Sequence, residues 1–230
     1  MHPTAKSNCE GFYRIYGSKI CGTSTAKVVE IGSQDLNGNL REVFPQHTNY
    51  IGVDFSPGKG VDIIIEDPYQ LPFEDESVDI VLSSSCLEHS EMFWLVFIEM
   101  IRILKPHGLC YLNVPANGGF HRHPVDCWRF YPDSGNALVT WSKRNGFSPA
   151  LMESYTSTQH GDLWNDFVAV FLKDENLVER YPDRITKSLT GFYNGCQFGS
   201  KEIYKPQGPS EDQLKLLAIQ QIIENKLKLI

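Results

Sequence analysis

The chain has 230 residues, enough for one large domain, and its 41% hydrophobic and 21% charged content is ordinary for a globular protein. A formal charge of −7, with Lys and Arg scattered, excludes the basic footprint expected of a nucleic-acid binder. No apolar run approaches roughly 18 residues, so no membrane span is expected. The N-terminal stretch lacks an apolar segment of signal-peptide length, and the six cysteines form no CxxC pair. Three disulfides are arithmetically possible, but free thiols and a cytoplasmic location are the expectation.

In chain order, residues 1–26 read as a short helix and loop. Lys27–Ile31 is an apolar run ending at Gly32, the pattern of a buried parallel strand. Asn39–Phe44 reads as part of a helix. Tyr50–Val53 is a second strand, ending at Asp54, and Val61–Ile65 a third. Val78–Leu82 is a fourth, followed by Ser83, Ser84 and Ser85. Phe93–Leu104 is a strongly apolar helix that Lys105–Gly108 stops, and Leu109–Val114 is a fifth strand.

Residues 116–133 then turn rich in Gly, His, Pro and aromatics. Ser134–Asn145 reads as a helix closed by Gly146, and Trp164–Leu172 as a strand. Residues 173–210 are irregular, and Asp212–Ile230 is a terminal helix. Strands alternating with helices predict an α/β fold. The expected form is Rossmann-like: a mostly parallel seven-stranded sheet, helices on both faces and one antiparallel strand late in the chain. The expected domain runs over residues 1–210, with a cofactor half at about 27–115, an acceptor half at about 116–210, and a C-terminal helix at 211–230.

In such sheets ligands bind beyond the carboxyl ends of the strands, so the residues after each strand matter most. After the first come Glu30, Gly32, Ser33, Gln34, Asn37 and Gly38. The glycine either lets backbone approach a ligand or makes a tight turn. Asp54, with Phe55 beside it, ends the second strand, where a carboxylate can accept from both ribose hydroxyls or simply face water. Asp67 and Pro68 follow the third strand, where a carboxylate can take an adenine amino group. Ser84 follows the fourth.

These blocks resemble the class I S-adenosylmethionine-dependent methyltransferases. The patterns E-x-G-x-x-x-G, V-D, D-x-x-x-L-P-F, F-D-x-V, L-E-H and L-K-P-x-G find their counterparts in order. They are Glu30–Gly38 in part, Val53–Asp54, Asp67–Phe73, Val78–Val81, Leu87–His89 and Leu104–Gly108. The resemblance covers roughly residues 27–115. It implies S-adenosylmethionine as cofactor and S-adenosylhomocysteine as product. One departure bears on the cofactor loop: the usual second glycine is Gln34, and glycine is delayed to Gly38.

The runs Gly32–Arg41 and His121–Pro132 further resemble a branch associated with polysaccharide and surface-glycan biosynthesis. That resemblance implies a sugar hydroxyl as acceptor. Methyl transfer to a weak oxygen nucleophile calls for a positioned base, and histidine suits that role. The candidates are His89, His121 and His123, with Asp126 orienting one of them. Arg122 and Arg129 can pair with an acceptor phosphate, or within the loop with Asp126 or Asp133. Trp128 and Tyr131 can offer flat faces to a sugar, or belong to the core.

No metal site is expected. His121, His123 and Asp126 have the composition of a ligand set, but the same groups serve an acceptor equally well. The expected partner is a small-molecule or glycan acceptor, with a homodimer as a further expectation from the apolar terminal helix. The competing readings are a methyltransferase for another oxygen or nitrogen acceptor, and a cofactor-binding partner subunit without turnover.

Overall fold

A computed structural model describes residues 3–22, 25–160 and 163–227. Helix α1 (Pro3–Phe12) runs through a π-helical turn (Tyr13–Gly17) into α2 (Ser18–Cys21). The strands are β1 (Lys27–Ile31), β2 (Asn49–Asp54), β3 (Ile63–Ile64), β4 (Val78–Ser84), β5 (Leu104–Pro115), β6 (Ala150–Ser157), β7 (Asp166–Leu172) and β8 (Phe192–Gln197). Helix α3 (Phe93–Ile103) joins β4 to β5, α4 (Ser134–Arg144) joins β5 to β6, and α5 (Glu211–Leu227) ends the described chain.

All eight strands form one sheet in the order β3-β2-β1-β4-β5-β7-β6-β8. The pairs from β3 through β5 are parallel, while β5–β7, β7–β6 and β6–β8 are antiparallel. The expectation of seven strands with one antiparallel member is thus corrected to eight. β7 is the antiparallel strand foreseen. β6 and β8 lie in stretches that carry no continuous apolar run. Asn39–Phe44 is corrected as well: only a single 3-10 turn, Arg41–Val43, forms there. Phe44 precedes Pro45 and is extended, as the ring of a following proline demands.

Alternation along each strand builds two cores. Val29, Ile31, Val81 and Phe171 pack under α3 and α4. Val28, Ile80, Leu82 and Val170 face the N-terminal helices through Phe12 and Tyr16. The second layer is also tied by polar contacts. Glu153 is buried on β6 and accepts from Tyr16 Oη (2.7 Å), the backbone N–H groups of Ile185 (2.6 Å) and Thr186 (3.0 Å), and Thr186 Oγ1 (2.7 Å). That network satisfies a carboxylate which burial alone would penalise.

The start of α5 is held through its two acidic residues. Glu211 accepts from the backbone of Gln159, and Asp212 from the side chains of Asn117 and Gln159. Beyond them Leu214, Leu216, Leu217, Ile219, Ile222 and Ile223 are exposed, and residues 228–230 of the expected helix lie outside the described residues. An apolar row of this kind favours association. Light scattering is expected to show self-association of the chain and a monomer after truncation at Ser210. A monomer in both cases rejects it.

Glu30 shows how burial sets stability. It points away from α3, accepts from Tyr50 Oη at 2.7 Å, and burial pushes its carboxyl from the ordinary 4.5 up to about 7 despite that bond. The folded chain therefore holds this proton more tightly than the unfolded one. Its contribution to stability is fully present below about pH 4.5 and is lost as pH rises to about 7. The loss amounts to about 3 kcal/mol, at 1.36 kcal/mol per unit. Glu30→Gln is expected to raise the melting temperature at pH 8 and leave it nearly unchanged at pH 5. Equal shifts at the two pH values refute the assignment.

Candidate active site

Strand order reverses between β1 and β4, and a crevice opens beyond their carboxyl ends, where such sheets bind ligands. A cleft of about 590 Å³ occupies it, within the range of small-molecule sites. Ile31 and Gly32 enter from β1, Val53–Ser56 from β2, Ile65, Pro68 and Tyr69 from the segment after β3, and Ser85 and Cys86 from β4. His89, Ser90 and Glu91 follow, and Arg122–Val125 close one side.

Gly32 adopts φ +78°, and a Cβ there would lie 2.5 Å from Cys86 Cβ and Sγ. The position excludes side chains both by conformation and by space. Asp54 is buried at the cleft wall. It accepts from the backbone N–H of Gln34 (3.2 Å) and of Ser56 (3.1 Å), which fixes its carboxylate beside the loop after β1. Burial holds the Cys86 thiol up at about 12, so it is no nucleophile near neutral pH.

Of the residues expected at the cofactor, Gly32, Gln34, Asp54, Phe55 and Pro68 line the cleft. Gln34 fills the place of the family's second glycine. Its side chain donates to the Pro57 carbonyl (3.2 Å) and lies over Gly58, where a Cβ would meet it. Asn37 and Gly38 are exposed and stand off the cleft, with the Gly38 N–H capped by Asp35 (2.7 Å). Glu30 and Ser33 line a second, smaller cavity of about 290 Å³. Asp67 is exposed and closes a turn onto the Tyr69 N–H (2.8 Å), and Ser84 is not among the lining residues. Tyr69, Ser85 and Cys86 escaped the sequence reading. Their signal was the position after a strand, whereas Ser84 is the last residue of β4 itself.

The cleft fits the group the resemblance implies. Apolar walls (Ile31, Val53, Ile65, Pro68) suit an adenine ring, Asp54 suits a ribose, and the floor at Gly32 admits only bare backbone.

Three imidazoles gather at one rim. The His89 and His121 rings lie 4.9 Å apart, and those of His89 and His123 6.3 Å. His89 sits on the 3-10 turn Leu87–His89, and burial lowers its imidazole below its ordinary value. Its Nδ1 lies 2.5 Å from the Val125 carbonyl oxygen. A carbonyl only accepts, so Nδ1 carries the proton and Nε2 is bare. Nε2 is 3.7 Å from Glu88 Oε1, and burial pushes that carboxyl up to about 8. The ring of His123, on the cleft wall, makes no hydrogen bond with the described residues.

The loop over this rim is fixed to its neighbours. The N–H groups of Cys127 (2.8 Å) and Trp128 (3.2 Å) donate to the Glu88 carbonyl, and Trp128 Nε1 donates to the Ser90 carbonyl (2.8 Å). Trp128 packs its ring against Phe93 and Trp94, and Tyr131 is exposed away from the cleft. Asp126 is taken up within the loop, between both terminal nitrogens of Arg129 (2.6 and 3.0 Å) and the His121 N–H (2.7 Å). Those Arg129 bonds hold its carboxyl well below the usual range. Arg129 thus pairs inside the loop, while Arg122 lines the cleft.

Comparison with known proteins agrees with this geometry. Residues 29–112 match a family described as a methyltransferase domain. An uncharacterized methyltransferase of Mycolicibacterium gilvum is 28% identical over 141 residues, 56% of this chain and 55% of that protein. One from Mycobacterium tuberculosis is 51% identical over 77 residues, 33% of this chain and 30% of its own length. The chain thus spans about half, or less, of the curated relatives it matches. Among solved structures, the Burkholderia thailandensis 1,6-didemethyltoxoflavin-N1-methyltransferase, with 1,6-didemethyltoxoflavin and S-adenosylhomocysteine bound, superposes at a TM-score of 0.54. It is 15% identical and covers 74% of this chain and 79% of its own, a likeness of fold. Residues 29–112 are therefore similar to a methyltransferase domain.

Proposed function

We propose that the whole chain methylates an oxygen of a small hydroxylated acceptor, a sugar carried on a nucleotide, a phosphate or a glycan end. The observation that carries this reading is the convergence of His89, His121 and His123 at the rim of the cofactor cleft. A sulfonium supplies a methyl group already activated for displacement. What remains for the chain is to align two reactants, exclude water and remove one proton.

Gly32, Asp54, Phe55, Pro68 and Tyr69 hold the cofactor. The carboxylate of Asp54 takes the ribose hydroxyls, and the apolar wall takes the base. His123 stands closest to a proton acceptor's role, because its ring lies on the cleft wall with no competing hydrogen bond among the described residues. S-adenosylmethionine, when bound, would supply the methyl group and keep the carbon–sulfur electron pair on sulfur, and a ring nitrogen of His123 would receive the hydroxyl proton of the acceptor. Arg122, at the same wall, offers a guanidinium to an acceptor phosphate.

Incubation of the chain with S-adenosylmethionine and a panel of nucleotide sugars, sugar phosphates, free glycans and amines, read by mass, tests the proposal. Methylated sugar with matching S-adenosylhomocysteine is the expected result. Methylation confined to the amines overturns the oxygen acceptor, and an absence of turnover on every class favours the partner-subunit reading.

A further inference from the structure

In the H-x-H-x-x-D run, Asp126 is engaged by Arg129 and by the His121 backbone, with its Oδ2 3.5 Å from His121 Nδ1. A different set converges. One ligand atom each from Glu88, His89 and His121 lie within 4.8 Å of one another. We propose that Glu88, His89 and His121 bind a first-row divalent cation at the rim of the cleft, where it holds the acceptor oxygen. This deepens the oxygen-acceptor reading and rests on it for the cation's role, though not for its binding.

Three observations point to a positive charge at this place. His89 gives its Nδ1 proton to the Val125 carbonyl, so Nε2 presents a lone pair toward Glu88 Oε1, 3.7 Å away. Once Glu88 is ionised, two acceptors face one another there. A backbone carbonyl that fixes the tautomer of an imidazole is also the usual support of a metal-binding histidine. Second, Glu88 is 1% exposed, and its Oε2 is buried without a hydrogen-bond partner among the described residues. A carboxylate in that position is costly unless a cation compensates it. Third, His121 holds its Nδ1 against the Gly119 carbonyl (3.1 Å), and its backbone is fixed by Asp126, so its ring is presented to the other two from the loop.

Ligands about 2.1 Å from a tetrahedral ion stand roughly 3.4 Å apart. The Glu88–His89 separation is already close to that. His121, exposed on the loop, closes the remainder by a shift on the order of 1 Å, small for a surface side chain. Two imidazoles and one carboxylate suit zinc, cobalt, iron or manganese better than magnesium or calcium, which prefer oxygen. Three protein ligands leave positions open for an acceptor oxygen. The cation would act as a Lewis acid on that hydroxyl while His123, which is outside the set, receives its proton.

The test uses the untagged full chain, freed of metal by chelation and titrated with Co²⁺ alone. Calorimetry and visible absorption are expected to report one site per chain. Glu88→Gln and His121→Ala are each expected to weaken it tenfold or more. Unchanged S-adenosylhomocysteine affinity and near-ultraviolet dichroism establish that the variants are folded. Should Glu88→Gln fail to fold, His121→Ala, on an exposed loop, decides alone. The absence of a stoichiometric site, or Co²⁺ affinity unaltered in His121→Ala, overturns the proposal. Because binding is read without turnover, methyl transfer to an amine would remove the oxygen acceptor and leave the cation site standing.

Discussion

Replacing His123 with alanine is expected to lower turnover by roughly a hundredfold or more, the scale of losing a general base. Affinity for S-adenosylhomocysteine is expected to stay unchanged. The reason is that the His123 ring, which lines the cleft, makes no hydrogen bond with Gly32, Asp54 or any other described residue. Single-turnover rates and calorimetry on the same preparations separate the two effects. A loss of cofactor affinity in parallel with rate would make His123 a wall residue. If His123→Ala, His121→Ala and His89→Ala all left turnover intact, no histidine of the rim would be the base, and alignment alone or Asp126 would have to carry the reaction.

Asp54→Ala is the second large effect. Two ribose hydrogen bonds to a charged acceptor are worth about 1.5–3 kcal/mol each. At about 1.4 kcal/mol per tenfold, their loss weakens both cofactor and product by roughly a hundredfold or more. The same carboxylate binds the N–H groups of Gln34 and Ser56, so alanine also frees the loop after β1 from the end of β2. Calorimetry with S-adenosylhomocysteine measures it, and an affinity equal to that of the parent chain removes Asp54 from the cofactor site.

The part of the chain from β1 to β5 was legible because its signals are local. A short apolar run, then Gly32 or Asp54, marks a buried strand and its carboxyl end without knowledge of the rest of the chain. β6 was not legible for the opposite reason. Ala150–Ser157 is buried throughout, yet Glu153, Ser154, Thr156 and Ser157 are polar, and the partners that satisfy the Glu153 carboxylate are distant in sequence. β8 is interrupted by Asn194, at φ +52°, and by Gly195, so no alternation survives in FYNGCQ.

The candidate site divides along the same line. Gly32, Asp54 and Pro68 follow strands, and the cleft contains them. Glu30 belongs to the strand itself, where the two-residue period turns it to the other face, away from Ile31. For the loop, composition gave the residues but not their assignments. The spacing of Asp126 to Arg129 suits a pair as well as a ligand set, and only the fold brings Glu88 toward His121.

The network at Glu153 has a consequence for how the chain reaches its native state. Its donors come from Tyr16, 137 residues earlier, and from Ile185 and Thr186, more than 30 residues later. Neither contact compensates the dehydrated carboxylate until long stretches of chain have closed, and such closures slow folding because their entropy is lost before the contacts form. β6 therefore has no reason to dock early. The parallel strands β1, β4 and β5 can collapse around α3 first, whereas the antiparallel edge waits for the N-terminal helices. Refolding followed by pulsed hydrogen exchange would then find the amides of Val81 and Leu112 protected before those of Glu153 and Ile185.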